Sequence, residues 1–264
     1  MPWIVPSHQA PAVLLKLWKP RWLSGLGLCL GSMAPDLENI FRLDKRELFG
    51  HTLAAQVYYA IPLTLLLHWL TTAIVFPWLL PRVPPGPPLY PRHLAAIRPA
   101  SSPREWVVIG YSGMIGGLTH KLLDGLTHSD TWATELWPAL KHTIAFPGGP
   151  IPLHDALQVW LSLLLGVVAF QALQHIARRQ PIPDNDRPWG SPRAHQSLAW
   201  GLVLCAAAGF LAGVKVTGAD APASALELGA YGSVVFATAW VIYAAVRHRM
   251  ETVPEREPTD PAAG

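Results

Sequence analysis

Residues 119–128 read Thr-His-Lys-Leu-Leu-Asp-Gly-Leu-Thr-His, and the spacing inside this stretch decides how the segment folds. His120, Asp124 and His128 stand at every fourth position of an otherwise apolar run. On a helix, positions i, i+4 and i+8 lie one above another, so the three side chains form a polar stripe about two turns long. Ionisable groups in or beside a membrane span are costly enough that they pair, coordinate something or line a cavity. The stripe therefore needs partners from elsewhere in the chain.

The surrounding composition belongs to a membrane protein. Of 264 residues, 51% are hydrophobic and only 14% charged, which departs from ordinary soluble domains. The net charge of +3 comes from short clusters such as Arg178-Arg179 and Arg247-His248-Arg249. Nucleic-acid binding would want a continuous basic face, and none is present in the sequence. Cys29 and Cys205 lie in apolar stretches and read as small buried residues, not as a disulfide. Lys16, Lys19 and Arg21 precede an apolar run, but Pro35 follows its only small-residue site, so no signal cleavage is expected there.

Hydropathy then predicts an all-α integral membrane bundle of about five transmembrane helices. Residues 1–23 are amphipathic and interfacial. The run 23–34 is too short to cross a hydrocarbon core, which takes about twenty residues, and reads as a buried or re-entrant helix that ends at Pro35 and delivers Asp36 and Glu38. Span one covers 51–80, with Pro62 as a kink and His68 as its ionisable interruption. A Pro-rich linker over 81–103 leads to span two, 106–126, where Gly113 and Gly117 make a small-xxx-small pattern. A polar loop over 127–152 precedes span three at 153–176, and spans four and five follow at 197–216 and 226–246. The Pro- and Glu-rich tail after residue 250 reads as disordered. This organisation implies a site-bearing domain over 1–180, two further spans over 181–249, and a tail over 250–264. Tryptophans at span ends, such as Trp78, Trp106 and Trp200, read as an aromatic belt.

Charge orients the bundle. The loops holding Arg82 to Arg104 and Arg178 to Arg193 are basic, whereas those at 127–152 and 218–226 are not. The positive-inside rule makes the basic loops cytoplasmic, with residues 1–50 outside despite Arg42, Lys45 and Arg46. His8, Asp36 and His51 then share one side of the membrane with His120, Asp124, His128 and His154. Imidazole and carboxylate together suit zinc or a similar divalent ion, and more than four such ligands suit a two- or three-metal cluster. Bland alternatives stand beside this reading. Asp36 after Ala34-Pro35 could cap a helix, His51 could be interfacial, His8 could sit idle in its terminus, and Asp155 could cap span three. His142 is a weak candidate, and His68 reads as a satisfied interhelical histidine.

Several short motifs, taken together, carry a family resemblance. They are Pro6-Ser7-His8, Gly31-Ser32-Met33-Ala34-Pro35-Asp36-Leu37-Glu38, Gly50-His51-Thr52, Leu118-Thr119-His120 through Thr127-His128, and Ile151-Pro152-Leu153-His154. The chain resembles the bacterial membrane proteins of domain-of-unknown-function family 4184, which are similar to inner-membrane proteins described as metal-dependent hydrolases. The order of residues also resembles the ligand order of zinc-dependent phospholipase C and the P1-type nucleases, a soluble helical superfamily holding three zinc ions. That resemblance implies His8, Asp36, His51, His120, Asp124 and His128 as ligands, with His154 added by its own motif. The superfamily ends in a HxxxE pair; here Phe146 follows His142 and Gln158 follows His154 at that spacing.

The expectation is a multi-pass protein of a bacterial cytoplasmic membrane. It would hydrolyse a phosphoester, a phospholipid among the candidates, at its outer face, using a divalent metal such as zinc. Asp36 and Asp124 would bridge or orient the ions. A transporter using His120, Asp124 and His68 as a cation path is the alternative.

Overall fold

The computed structural model describes residues 7–42, 49–83, 94–147, 149–179, 192–217 and 237–250. Helix α1 (Gln9–Trp18) buries Ala10, Ala12 and Val13 and leaves Leu14, Leu17 and Trp18 exposed, the two-faced pattern that its sequence predicts. Lys16 Nζ then donates to the carbonyls of Pro20 and Leu23, at 2.6 and 2.7 Å, and so ties down the turn into α2.

Helix α2 (Gly25–Arg42) runs straight past Pro35, which corrects the expectation that the helix stops there. A proline inside a helix forfeits one backbone hydrogen bond and crowds the carbonyl four residues back, at a cost of about 3 kcal/mol. Pro35 is fully buried, so packing offsets that local cost. Asp36 consequently sits mid-helix and has no free helix N-terminus to cap.

The expected first span is a sequence of short helical pieces. Helix α3 (Leu53–Tyr58), capped by the Thr52 hydroxyl, breaks at Tyr59 before α4 (Ala60–Leu70). Pro62 explains the break, because its ring crowds the carbonyl of Tyr58. A π-helical turn at Thr71–Val75 leads into α5 (Phe76–Leu79) and a 3₁₀ turn at Leu80–Arg82.

Helix α6 (Pro103–Thr127) begins at Ser102, whose hydroxyl accepts from the backbone of Glu105. It crosses α2 through glycines. A Cβ on Gly31 would fall 2.0 Å from the Gly113 carbonyl oxygen, and one on Gly116 would fall 2.2 Å from that of Leu28. Only residues without a Cβ allow two backbones this close.

Helix α7 (Trp132–Leu136) and a 3₁₀ turn at Pro138–Lys141 precede a short antiparallel ladder that the sequence did not suggest. Its strands are β1 (Thr143–Ile144) and β2 (Ile151–Pro152), with Thr143 opposite Pro152 and Ile144 opposite Ile151. Helix α8 (Leu153–Arg179) covers the expected third span, and α9 (Pro192–Thr217) the fourth. The last described helix, α10, occupies 237–250, so the expected fifth span lies partly outside the described residues, as does the tail.

Two helical runs among the described residues, Leu53–Arg82 and Leu153–Ile176, are long and apolar enough to cross a membrane. The fold is all-α as expected, but the five expected runs are not found among the described residues. Helix α6 is not among the two. It carries Arg104, Glu105, His120, Lys121 and Asp124 and is rich in glycine.

The chain divides into two compact units. One comprises Met1–Trp69, Pro87–Tyr90 and Pro99–Pro181 and contains every candidate site residue. The other comprises Leu70–Gly86, Pro91–Arg98 and Ile182–Gly264. Its small core gathers Trp78, Leu198 and Ala245, with Trp240 edge-on to Trp78 at 5.7 Å. In that unit Arg249 Nη1 donates to the Ala73 carbonyl, within the π-helical turn, at 2.8 Å. Cys29 and Cys205 are both free thiols.

Candidate metal centre

The close α2–α6 crossing sets the site, because beyond the glycines each helix presents a ligand. One and two turns on from Gly116, α6 presents His120 and Asp124, while α2 presents Asp36 five residues on from Gly31. His120 Nε2 lies 2.9 Å from Asp124 Oδ2 and 3.6 Å from Asp36 Oδ1. Two further segments close the cluster. His8 stands at the N-cap position of α1, where its side chain makes no capping bond, and its Nε2 lies 3.1 Å from Asp124 Oδ1. His51, just before α3, places Nε2 3.4 Å from Asp124 Oδ2 and 3.9 Å from Asp36 Oδ1. The His8 and His120 rings stack with centroids 4.4 Å apart, and His51 meets His120 edge-on at 5.5 Å.

This arrangement fits a divalent ion on its own terms. Two overlapping ligand sets, His8–His120–Asp124 and Asp36–His51–His120, each bring three donor atoms within 4.8 Å of one another. His120 is fully buried, yet neither of its ring nitrogens makes a hydrogen bond. Nε2 is close enough to Asp124 for an ion pair but not aligned as an N–H···O bond. Two such groups side by side without a hydrogen bond are what a shared metal ion would leave when absent from its ligands. Neutral imidazole offers a lone pair, and ionised carboxylate offers several. Buried polar atoms normally find partners, so the unbonded nitrogens of His120, together with Nδ1 of His8 and His51, call for an explanation.

Electrostatics show how strongly the carboxylates and imidazoles act on one another in the metal-free cluster. Burial works against ionising Asp124, but the adjacent imidazoles of His120, His51 and His8 outweigh it and hold the carboxyl far below the usual carboxylate range. Burial also opposes a charge on His120; the contacts with Asp124 and Asp36 and a backbone contact at Ser32 outweigh it and raise its pKa. Asp124 is thus an anion facing imidazoles, the state in which a carboxylate binds a metal.

Five of the seven expected ligands therefore converge: His8, Asp36, His51, His120 and Asp124. His128 does not complete the stripe as the spacing predicts. It is the C-cap of α6 with extended φ −122° and ψ 155°, so it has left the helical register. Its Nδ1 lies 3.7 Å from Asp124 Oδ1 and within hydrogen-bond distance of the Thr127 hydroxyl, at the edge of the cluster. His154 is buried at the start of α8, with Nδ1 3.1 Å from Asp155 Oδ1, and belongs to neither ligand set. His68 is buried against Trp106 instead, edge-on at 6.4 Å.

Sequence reasoning overlooked the supports of this centre. The Glu38 carboxylate, two residues beyond Asp36, accepts from the Gly50 backbone N–H. Lys121, inside the opening stretch, donates through Nζ to the His51 carbonyl at 2.5 Å. Gln158 stands where a HxxxE pair would put glutamate, and with Ser7, Leu123, Thr127, Leu161 and Leu165 it lines a pocket beside His8.

Fold and site together define a class: an all-α protein with, among the described residues, two helical runs long and apolar enough to cross a membrane, and a buried His/Asp cluster suited to a metal. The chain belongs to the family described as a domain of unknown function, DUF4184, which matches residues 1–250. Comparison with curated proteins and with solved structures gives no match.

Proposed function

We propose that this chain is a metal-dependent phosphoester hydrolase of a bacterial cytoplasmic membrane, passing through it more than once, with its site toward the extracytoplasmic face. The observation that carries the reading is the convergence of His8, Asp36, His51, His120 and Asp124 from four separate segments. A purely structural metal would need fewer ligands than these. Divalent ions, zinc foremost, would supply Lewis acidity that activates water and neutralises charge on a phosphoryl group.

The protein's own groups divide the work. Asp124 turns Oδ1 toward His8 and Oδ2 toward His120 and His51, so its carboxylate bridges the two ligand sets. Asp36 faces His120 and His51 with a single oxygen and holds the second set together. His8 borders both the cluster and a small cleft lined by Ser7, Thr127, Gln158 and Ser162 as well as by three leucines. The cation-path alternative draws less support, because His68 packs on Trp106 and belongs to neither ligand set.

Elemental analysis of the purified full-length protein tests the reading. About two or more divalent ions per chain are expected, and the double substitution His120→Ala with Asp124→Ala should remove them. Folded wild-type protein that takes up no divalent ion when supplied with zinc would overturn the proposal.

A further inference from the structure

Of the side chains that form the cluster, His8 and His51 lie outside the helices, His8 at the N-cap of the ten-residue α1 and His51 in the segment before α3. His51 precedes the six-residue helix α3 and follows Gly50, and residues 43–48 before it lie outside the described ones. His120, Asp124 and Asp36 ride on helices of 25 and 18 residues, whose backbones hold them. Something else must hold His51, because a ligand displaced by about an ångström loses much of its effect.

The peptide groups on either side of His51 are gripped by three side chains from three elements. Glu38, two residues beyond Asp36 on α2, accepts from the Gly50 N–H. Gln56, buried on α3, donates through Nε2 to the carbonyls of Gly50 and Thr52 at 3.2 and 3.1 Å. Lys121, next to His120 on α6, donates through Nζ to the His51 carbonyl at 2.5 Å. Gly117 is what makes room for this, since a Cβ there would stand 2.0 Å from Gln56 Oε1. Glu38 and Lys121 thus sit beside the ligands Asp36 and His120 on the same two helices, and link them to the backbone of the third.

We propose that Glu38, Gln56 and Lys121 are positioning residues that preset His51 as a ligand of the set Asp36–His51–His120. The inference rests on the metal reading given above and adds residues that the ligand geometry alone does not assign. Groups just outside a metal's ligands commonly change affinity about 10- to 100-fold when removed, because they orient what the metal binds.

The test uses full-length protein in detergent, stripped with chelator and titrated with zinc, with cobalt(II) as a spectroscopic probe of ligand geometry. Lys121→Met, Glu38→Ala and Gln56→Leu are expected to weaken the binding of one zinc by about 10- to 100-fold and to shift the cobalt absorption bands. The metal-free melting temperature of Lys121→Met should change little, because that side chain is only partly buried. Lys121→Arg, which keeps a cationic donor, should restore most of the affinity.

Wild-type zinc affinity and an unchanged cobalt spectrum in all three variants would overturn the clamp while leaving the metal reading intact. So would a loss of affinity in Lys121→Met matched by a metal-free melt that collapses, since that marks a support of the whole fold. Wild-type protein that binds no zinc would instead overturn the metal reading itself.

Discussion

The two halves of helix α6 solve opposite problems with one backbone. From Gly110 to Gly117 the helix has almost no side chains on its packed face, and its neighbours press against the main chain. From His120 to Asp124 the face is occupied by ionisable groups whose partners come from α1, α2 and the segment before α3. The first half sets how near α2 can come, and the second uses that nearness to bring Asp36 to His120. Steric tolerance should therefore be least where the chemistry is blandest, and chemical tolerance least one turn further on.

The largest effect is expected at the crossing. In Gly116→Val the new Cβ would meet the Leu28 carbonyl, a backbone atom that no rotamer change can move aside. Overpacking of this kind costs about 3 kcal/mol, and the helix separation it forces would also scatter the ligands. Thermal melts and metal content should fall together. A variant that melts like wild type would show that the crossing does not set the site.

Asp124→Ala sharpens the comparison from the other half. It removes the carboxylate of the set His8–His120–Asp124, whose Oδ2 also faces His51 of the other set, so the metal of the first set should be lost and that of the second held less tightly. The metal-free protein should keep its helical content by circular dichroism, because α2 and α6 still interlock at the glycines. Loss of helicity equal to that in Gly116→Val would deny the division of labour between the halves.

How much of this was legible in the sequence differs by residue. The four-residue spacing of His120 and Asp124 is enforced by helix geometry, whereas His8, Asp36 and His51 join them in the sequence only through motif order and an assumed common side of a bilayer. Pro35 misled because a local breaker reports only its own cost, and burial against the rest of the fold outweighs it. His128 misled because spacing presumes that the helix continues, and α6 ends at Thr127. The grip on His51 left no periodic trace, since side chains that bond backbone carbonyls and N–H groups can come from any direction.

Gly117→Ala separates packing from positioning. Its Cβ would collide with Gln56 Oε1, but that is the end of a flexible side chain and can swing away. Alanine gains about 1 kcal/mol of helix propensity over glycine, which offsets the disturbance. Stability should stay near wild type while zinc affinity falls several-fold, because the displaced Gln56 releases Gly50 and Thr52. Equal stability with equal affinity would mean that Gln56 does nothing for the metal.

The smallest effects are expected at the two histidines outside the ligand sets, and they mark where the polar half of α6 stops mattering. His128 faces Asp124 from 3.7 Å but bonds its own helix end, so His128→Ala should weaken zinc binding only slightly. His154 pairs with Asp155 at the start of α8, and His154→Ala should leave affinity unchanged. Gln158, four residues on, lines the pocket beside His8 with an uncharged amide. Gln158→Glu would supply the carboxylate of a HxxxE pair within reach of that pocket. If His154 can turn toward His8, this substitution should raise zinc stoichiometry and make His154→Ala costly in the same background. If stoichiometry stays fixed, the centre is complete with the five residues that α6 and its neighbours already bring together.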